Sequence, residues 1–223
     1  MTIEEYIKAN IKNEALQYHL LHQRGYAQRF DWVGPDREQA KKIKETGILD
    51  EWIAARFREQ HPFTEGDSSS PPKPDCELID NKGRKFGIEI TEFVDRPTIE
   101  RNQKISYHWK EYTPGELCSA VEKRLVIKDR KLRTNLGQSS RQDYDEVIVI
   151  LHTDEPALNP DFCRAALANH EFPAFEVITA ADMLFPCPRK GHINDRDSEY
   201  CRIVPVIPCA TFARYQSVKP ESV

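Results

Sequence analysis

Apolar and polar residues alternate over residues 85–93, where Phe86, Ile88 and Ile90 are separated by Gly87, Glu89 and Thr91. A period of two is typical of a β-strand with one buried face. We predict another strand over residues 76–80, and the Asn81-Lys82-Gly83 segment between the two strands suits the turn of a hairpin. The apolar side chains of the second strand therefore face a core, while Glu89 and Thr91 lie on the other face.

Helical periodicity indicates three helices around this hairpin. Apolar residues recur at helical intervals over residues 3–24 and again from Asp36 to about Gln60. Gly47 weakens the middle of the second segment and predicts a break there. A third helix is expected from about Glu116 to Leu132, after a Pro-Gly pair that ends the preceding segment.

The remaining pattern predicts the other side of the sheet. Residues 61–74 are rich in Ser, Pro and Gly and read as a surface loop. The continuous apolar run 146–151 is typical of a strand buried on both faces. A helix over 160–169 and strands near 175–178 and 202–207 complete the order. This order predicts an α/β sandwich around a mixed sheet.

Length and composition agree with a globular domain that carries an arm. The 223 residues are 39% hydrophobic and 30% charged, which supplies enough apolar material for a core. We predict a helical arm over residues 1–35 and one domain over residues 36–223. The net charge of −4 argues against a globally basic nucleic-acid binder but leaves room for a local basic groove.

Targeting signals and cysteine spacing add little to this picture. Apolar runs are far shorter than the 18 or so residues of a membrane span, and the N-terminus lacks the basic-then-apolar order of a secretory signal, so we expect a cytoplasmic protein. The six cysteines form no C-x-x-C pair. A zinc site from Cys187, His192 and Cys201 is conceivable, but its spacing disfavours it against small buried thiols.

Two carboxylates carry the candidate chemistry. Asp75 stands at the start of the first predicted strand and Glu89 in the middle of the next. Adjacent strands would bring both within reach of one divalent cation, and oxygen ligands of this kind suit Mg²⁺ or Mn²⁺. The alternative is an ordinary hairpin in which Asp75 caps a turn and Glu89 is solvated.

These residues resemble a known family. Pro74-Asp75, a hairpin, and Glu89-Ile90-Thr91 resemble the signature of the PD-(D/E)xK nuclease superfamily, over about residues 36–151. The resemblance implies a restriction-endonuclease-like fold and a nuclease dependent on Mg²⁺ or Mn²⁺. It also implies that Asp75, Glu89 and the carbonyl of Ile90 are metal ligands.

Thr91 stands where the family pattern has its lysine. We expect a lysine from the helix over 116–132 to replace it, and Lys128 is the first candidate because it lies on that helix's apolar stripe. Lys131 is the second candidate and Lys104 the third. The alternative for Lys128 is a stem that packs while the ammonium reaches water.

The resemblance also implies a further acidic residue on the helix before the hairpin. Glu45, Glu51 and Glu59 compete for that role, and Glu45 is preferred because it shares a helical line with Leu49 and Trp52. The competing interpretation is a solvated helix face.

The charge of residues 101–141 bears on the expected function and its alternatives. Residues 101–141 hold ten basic and four acidic residues, a local balance of +6 that suits a polyanion or, equally, a solvated helix. We therefore expect a nuclease acting on DNA, with a homodimer as a way to cut both strands. Rival interpretations are a catalytically silent nuclease-like module for binding or assembly, and an unrelated α/β protein that binds a partner through residues 3–24.

Overall fold

The computed structural model describes residues 37–57, 63–65, 74–98, 110–140, 143–153, 155, 157–185 and 202–209. The predicted arm over 1–35, Lys104, Glu59 and the cysteine–histidine set at 187–201 lie outside these ranges. The elements in chain order are α1 (Arg37–Phe57), β1 (Phe63–Glu65), β2 (Cys76–Asp80), β3 (Lys85–Glu92), α2 (Pro114–Ser140), β4 (Glu146–His152), α3 (Pro160–Leu167), β5 (Ala180–Phe185) and β6 (Arg202–Ile207).

The six strands form one mixed sheet in the order β1-β2-β3-β4-β5-β6. Strands β1, β2 and β3 pair antiparallel, β3, β4 and β5 pair parallel, and β6 returns antiparallel to β5. Parallel neighbours need a crossover connection, and α2 and α3 lie in the two crossovers of this sheet. The prediction of an α/β protein with a mixed sheet is therefore confirmed.

Helices cover both faces of the sheet. The apolar side of α1, which includes Leu49, Trp52 and Ile53, packs in one core cluster with alternate residues of the central strands. The buried side of α2 and residues of α3 form the second cluster. The strands supply Phe86, Ile88, Ile90, Ile148 and Ile150 to the α1 side, and Val147, Val149 and Leu151 to the α2 side.

The hairpin forms where the alternating pattern predicts it. Gly83 has a φ of 76°, a conformation that glycine adopts without steric cost. The Asp80 carboxylate closes the turn by accepting hydrogen bonds from the backbone N–H groups of Lys82 at 2.8 Å and Arg84 at 2.9 Å. The turn therefore fixes the register of β2 against β3.

The prediction of a strand near residues 175–178 is wrong. The segment is outside the sheet, and β5 begins only at Ala180. The backbone N–H groups of Val177 and Ile178 donate to Oδ1 of Asp129 on α2, at 2.8 and 3.0 Å. A side chain thus takes the place of a neighbouring strand as acceptor, while both apolar side chains remain buried.

Other details also differ from the prediction, among them the end of α2, which lies at Ser140 and not near Leu132. A short edge strand, β1, lies inside the predicted loop 61–74. Helix α2 starts at Pro114, because proline is tolerated in the first turn and Thr113 and Glu116 form a capping box with bonds of 2.9 and 3.3 Å. Helix α1 continues through Gly47, which is exposed and unobstructed.

Candidate active site

Glu89 lies on the α2 side of the sheet. Its neighbours on β3, Ile88 and Ile90, point into the α1 core, so the alternation of the strand turns Glu89 to the opposite face. The Glu89 side chain is 13% exposed. The carboxylate is therefore held at a largely buried position beneath helix α2.

Asp75 lies beside Glu89, directly before the neighbouring strand β2. Cys76 of β2 is paired with Ile88, so the residue before Cys76 comes opposite the residue after Ile88. Asp75 Oδ2 accepts a hydrogen bond of 2.9 Å from the backbone N–H of Ile90. The structure thus brings together the two carboxylates that the sequence pattern singles out.

Lys128 of α2 reaches the same point. Its Nζ lies 2.6 Å from Oε1 of Glu89, and its side chain is 17% exposed. Leu125 and Leu132, on the same side of the helix, are buried, so the lysine stem follows the packed face of α2 down to the strand. Among the described residues Lys128 is therefore the candidate lysine that contacts Glu89, whereas Lys131 is exposed and Lys104 lies outside the described ranges.

The electrostatic balance of the site centres on Glu89. Burial raises the pKa of its carboxyl above the usual range, the Lys128 ammonium opposes that rise, and the Asp75 carboxylate adds to it. Two adjacent carboxylates favour a nearby cation, and Lys128 supplies one positive charge.

Thr91 and Glu45 occupy the remaining predicted positions. Thr91 is half-buried two residues beyond Glu89, so no charge comes from the position of the motif lysine. Glu45 is half-buried on α1, whose apolar side covers the face of the sheet opposite Glu89. A role for Glu45 beside the carboxylate pair stays a prediction.

The donor set is small but of the kind that hard cations accept. Asp75 and Glu89 offer two carboxylates, and Mg²⁺ is commonly bound in proteins through one or two carboxylates and several waters. Among the described residues, no group of three or more His, Cys, Asp or Glu side chains is arranged to hold a metal ion. A hydrated Mg²⁺ or Mn²⁺ ion held by this pair, with the carbonyl of Ile90 as a further ligand, stays a prediction.

Two supporting residues were not found from the sequence. The Asp129 carboxylate, buried next to Lys128, accepts three backbone N–H groups of residues 176–178 and so attaches α2 to the segment before β5. Gly87 lets Pro74, the residue before Asp75, lie against β3, because a Cβ there would come 2.9 Å from Pro74 Cγ. A glycine inside an alternating strand was the available signal for such a close approach.

Glu77 lies on β2 opposite Gly87. Glu77 is 9% exposed, and its carboxylate interacts with the Tyr144 hydroxyl. Burial raises the pKa of Tyr144, and Glu77 raises it further. Glu77, two residues after Asp75, therefore interacts with Tyr144. The sequence pattern did not indicate this interaction.

Basic residues flank Lys128 on α2. Arg124 and Lys131 are one turn to either side, where helical geometry puts them on the same flank. Arg124 is half-buried and Lys131 is exposed. The opposite flank carries Asp129 and also Glu122, whose Oε2 lies 3.0 Å from His170 Nε2. Positive charge is thus concentrated on the flank of α2 that carries Lys128.

Comparison with known proteins identified no relative of this chain. No family model, no curated protein and no solved structure matches this chain. Among the described helices, none combines the length and apolar character needed to cross a membrane.

Proposed function

We propose that the protein is a divalent-metal-dependent nuclease that hydrolyses phosphodiester bonds in DNA. The observation that carries the proposal is the contact of 2.6 Å between Lys128 Nζ and Glu89 Oε1, beside Asp75. A phosphodiester nuclease needs oxygen ligands for a cation together with a positive group near the attacking water. This cluster contains both, although Thr91 replaces the lysine of the family signature.

Each residue has a distinct role in this proposal. Asp75 and Glu89 hold Mg²⁺ or Mn²⁺ with help from the Ile90 carbonyl, and Lys128 orients the attacking water or stabilises charge on the phosphate. When bound, the cation polarises a phosphoryl oxygen and lowers the pKa of a bound water. Arg124 and Lys131 extend the positive charge toward the phosphate backbone.

The order of elements supports the same proposal. Apart from the short edge strand β1, helix α1, the β2–β3 hairpin, helix α2 and strand β4 follow one another along the chain, and β3 pairs parallel with β4. The resemblance to the PD-(D/E)xK superfamily, which rests on the residues around Asp75 and Glu89, covers this order of helix, hairpin, helix and strand. Fold alone does not choose between repair, restriction and defence, so the proposal is limited to the reaction.

The test is cleavage of plasmid and linear DNA in Mg²⁺, in Mn²⁺ and in EDTA. We expect Asp75→Asn, Glu89→Gln and Lys128→Met each to lower the rate at least about 100-fold, because each removes a cation ligand or the positive group. Lys82→Met is the control, since Lys82 is exposed in the turn at the other end of the hairpin. Wild-type rates in both carboxylate variants would refute the assignment.

A second candidate is a catalytically silent nuclease-like domain that binds nucleic acid or assembles with protein. The observation that favours it is again the Lys128–Glu89 ion pair, because an ammonium can neutralise Glu89 without a metal. Calorimetric titration with Mg²⁺ and Mn²⁺ separates the two candidates. Absence of binding at millimolar metal, together with intact DNA, would favour the silent domain.

A further inference from the structure

The Lys128 ammonium occupies an oxygen of a carboxylate that is also a candidate metal ligand. The distance of 2.6 Å to Glu89 Oε1 is that of a direct, charge-assisted hydrogen bond. A divalent cation on the same carboxylate and an ammonium at hydrogen-bonding distance would repel each other. Binding of a cation at Glu89 is therefore easier when Lys128 has another anion to contact.

The side chain of Lys128 is able to change partners. Its stem is flexible, its ammonium has three donors, and its side chain retains 17% exposure, so the charged end is not sealed in the core. Arg124 and Lys131 lie on the same flank of α2, where they would attract a phosphate backbone toward Lys128. A phosphate oxygen near Glu89 is thus the natural second anion for the ammonium.

We propose that Lys128 couples cation binding to nucleic-acid binding: a backbone phosphate draws the ammonium away from Glu89 and so frees the carboxylate for the cation. This inference rests on the proposed function and adds a regulation of the same site. In the free protein the cation binds weakly, because Lys128 holds Glu89. With nucleic acid bound, both bind more tightly, since coupling between two ligands is reciprocal.

The first measurement is calorimetric titration of the full chain with Ca²⁺ alone, comparing wild type with Lys128→Gln. We expect the variant to bind Ca²⁺ about 10-fold more tightly, within the usual range of coupling between sites. Lys82→Gln removes the same charge at the far end of the hairpin and should leave the affinity unchanged. Equal or weaker Ca²⁺ binding by Lys128→Gln would overturn the coupling.

The second measurement repeats the titration with a saturating DNA duplex, and a gel checks that the duplex stays intact. DNA should raise the Ca²⁺ affinity of wild type about 10-fold. It should raise the affinity of Lys128→Gln much less, because the variant has no ammonium that could move from Glu89 to a phosphate. An equal gain in both proteins would contradict the proposed exchange of partners.

Lys128→Arg guards against a variant that simply fails to fold. It keeps the positive charge, so it should keep the weak Ca²⁺ affinity and the gain with DNA. A gain of Ca²⁺ affinity in Lys128→Arg equal to that in Lys128→Gln would show that charge is not the cause. Absence of Ca²⁺ binding in every protein, together with absence of Mg²⁺ and Mn²⁺ binding in the titration that tests the proposed function, would remove that function itself. Equal Ca²⁺ binding in every protein would remove only the coupling.

Discussion

The indole N–H of Trp52 donates a hydrogen bond of 2.9 Å to Oδ2 of Asp182, which joins helix α1 to the middle of strand β5. Arg56, one turn further along α1, approaches Oδ1 of the same carboxylate at 3.5 Å. Both charged side chains are almost fully buried. This polar cluster lies on the α1 face of the sheet, opposite Glu89, and it fixes the helix that carries Glu45.

Arg56→Met should destabilise the fold by about 3–5 kcal/mol, because it leaves the Asp182 carboxylate buried without its cation. Burial raises the pKa of Asp182, while Arg56 and Trp52 lower it. Without Arg56 the pKa rises further, so the folded state holds a proton that the unfolded state has released. The loss of unfolding free energy in Arg56→Met is therefore largest near neutral pH and becomes smaller as the pH falls. Urea unfolding of wild type and variant at about pH 8 and about pH 5 measures this change.

Arg133→Met is the matched control for this prediction. Arg133 pairs with Glu176, but the two side chains are 53% and 58% exposed, and surface pairs of this kind contribute about 0–1 kcal/mol. The control should change the unfolding free energy little at either pH. A pH-independent deficit in Arg56→Met would show that Asp182 does not titrate as argued.

Asp129→Ala should lower the free energy of unfolding by about 2–3 kcal/mol, because three backbone N–H groups lose their acceptor and two of them belong to buried residues. Arg130→Ala, a truncation of the exposed neighbour, should cost less than about 0.5 kcal/mol. Urea unfolding of the two variants makes the comparison. Equal stability of the two variants would mean that Asp129 does not hold the segment before β5.

The sequence pattern predicted the part of the fold that local chemistry determines. The hairpin follows from alternation and a glycine turn, and β4 from an unbroken apolar run that is buried on both faces. The apolar stripe of the helix also singled out Lys128 as the first candidate for the displaced lysine, and in the structure its ammonium contacts Glu89. The hairpin and β4 depend on residues close in the chain, and the choice of Lys128 depended on a single helical face.

Features that depend on residues distant in the chain were not predicted correctly. Residues 175–178 have the composition of a strand, yet Asp129 from α2 binds their N–H groups. Strand β5 contains two alanines and Asp182, so its own composition is a weak strand signal. Its membership of the sheet depends on β4, and its aspartate depends on Trp52 and Arg56.

Asp80→Asn should weaken the hairpin by about 1–3 kcal/mol at neutral pH. Burial alone would raise the pKa of Asp80, but hydrogen bonds from the backbone and side chain of Arg84 and the backbone of Lys82 outweigh it and hold the pKa below its usual range. The stabilisation is therefore complete above the unfolded pKa and is lost as the pH falls through the lower folded value.

The gap between wild type and Asp80→Asn should accordingly narrow as the pH falls below about 4. Thermal unfolding followed over that range measures it. Asp161→Asn serves as the control, because Asp161 is exposed and its ion pair with Arg164 lies on the surface. A gap for Asp80→Asn that stays constant into acid would contradict the argument.

Gly87→Ala, on strand β3, should shift the backbone around Asp75 in the candidate site. The added Cβ would lie 2.9 Å from Pro74 Cγ and 3.4 Å from the Tyr144 ring, so Pro74 or the strand must move. Overpacking of this kind costs about 1–3 kcal/mol. Because Asp75 follows Pro74 directly, we also expect the hydrogen bond between Asp75 and the Ile90 N–H to weaken and the Mn²⁺ affinity to fall.

Gly47→Ala is the matched substitution in open space. A Cβ at Gly47 has nothing within 4 Å and lies inside helix α1, so the change should raise the unfolding free energy by about 0.5–1 kcal/mol. The two variants add the same methyl group and should shift stability in opposite directions. If Gly87→Ala lowers stability but leaves the Mn²⁺ affinity of wild type, then the position of Asp75 does not depend on the packing of Pro74 against β3.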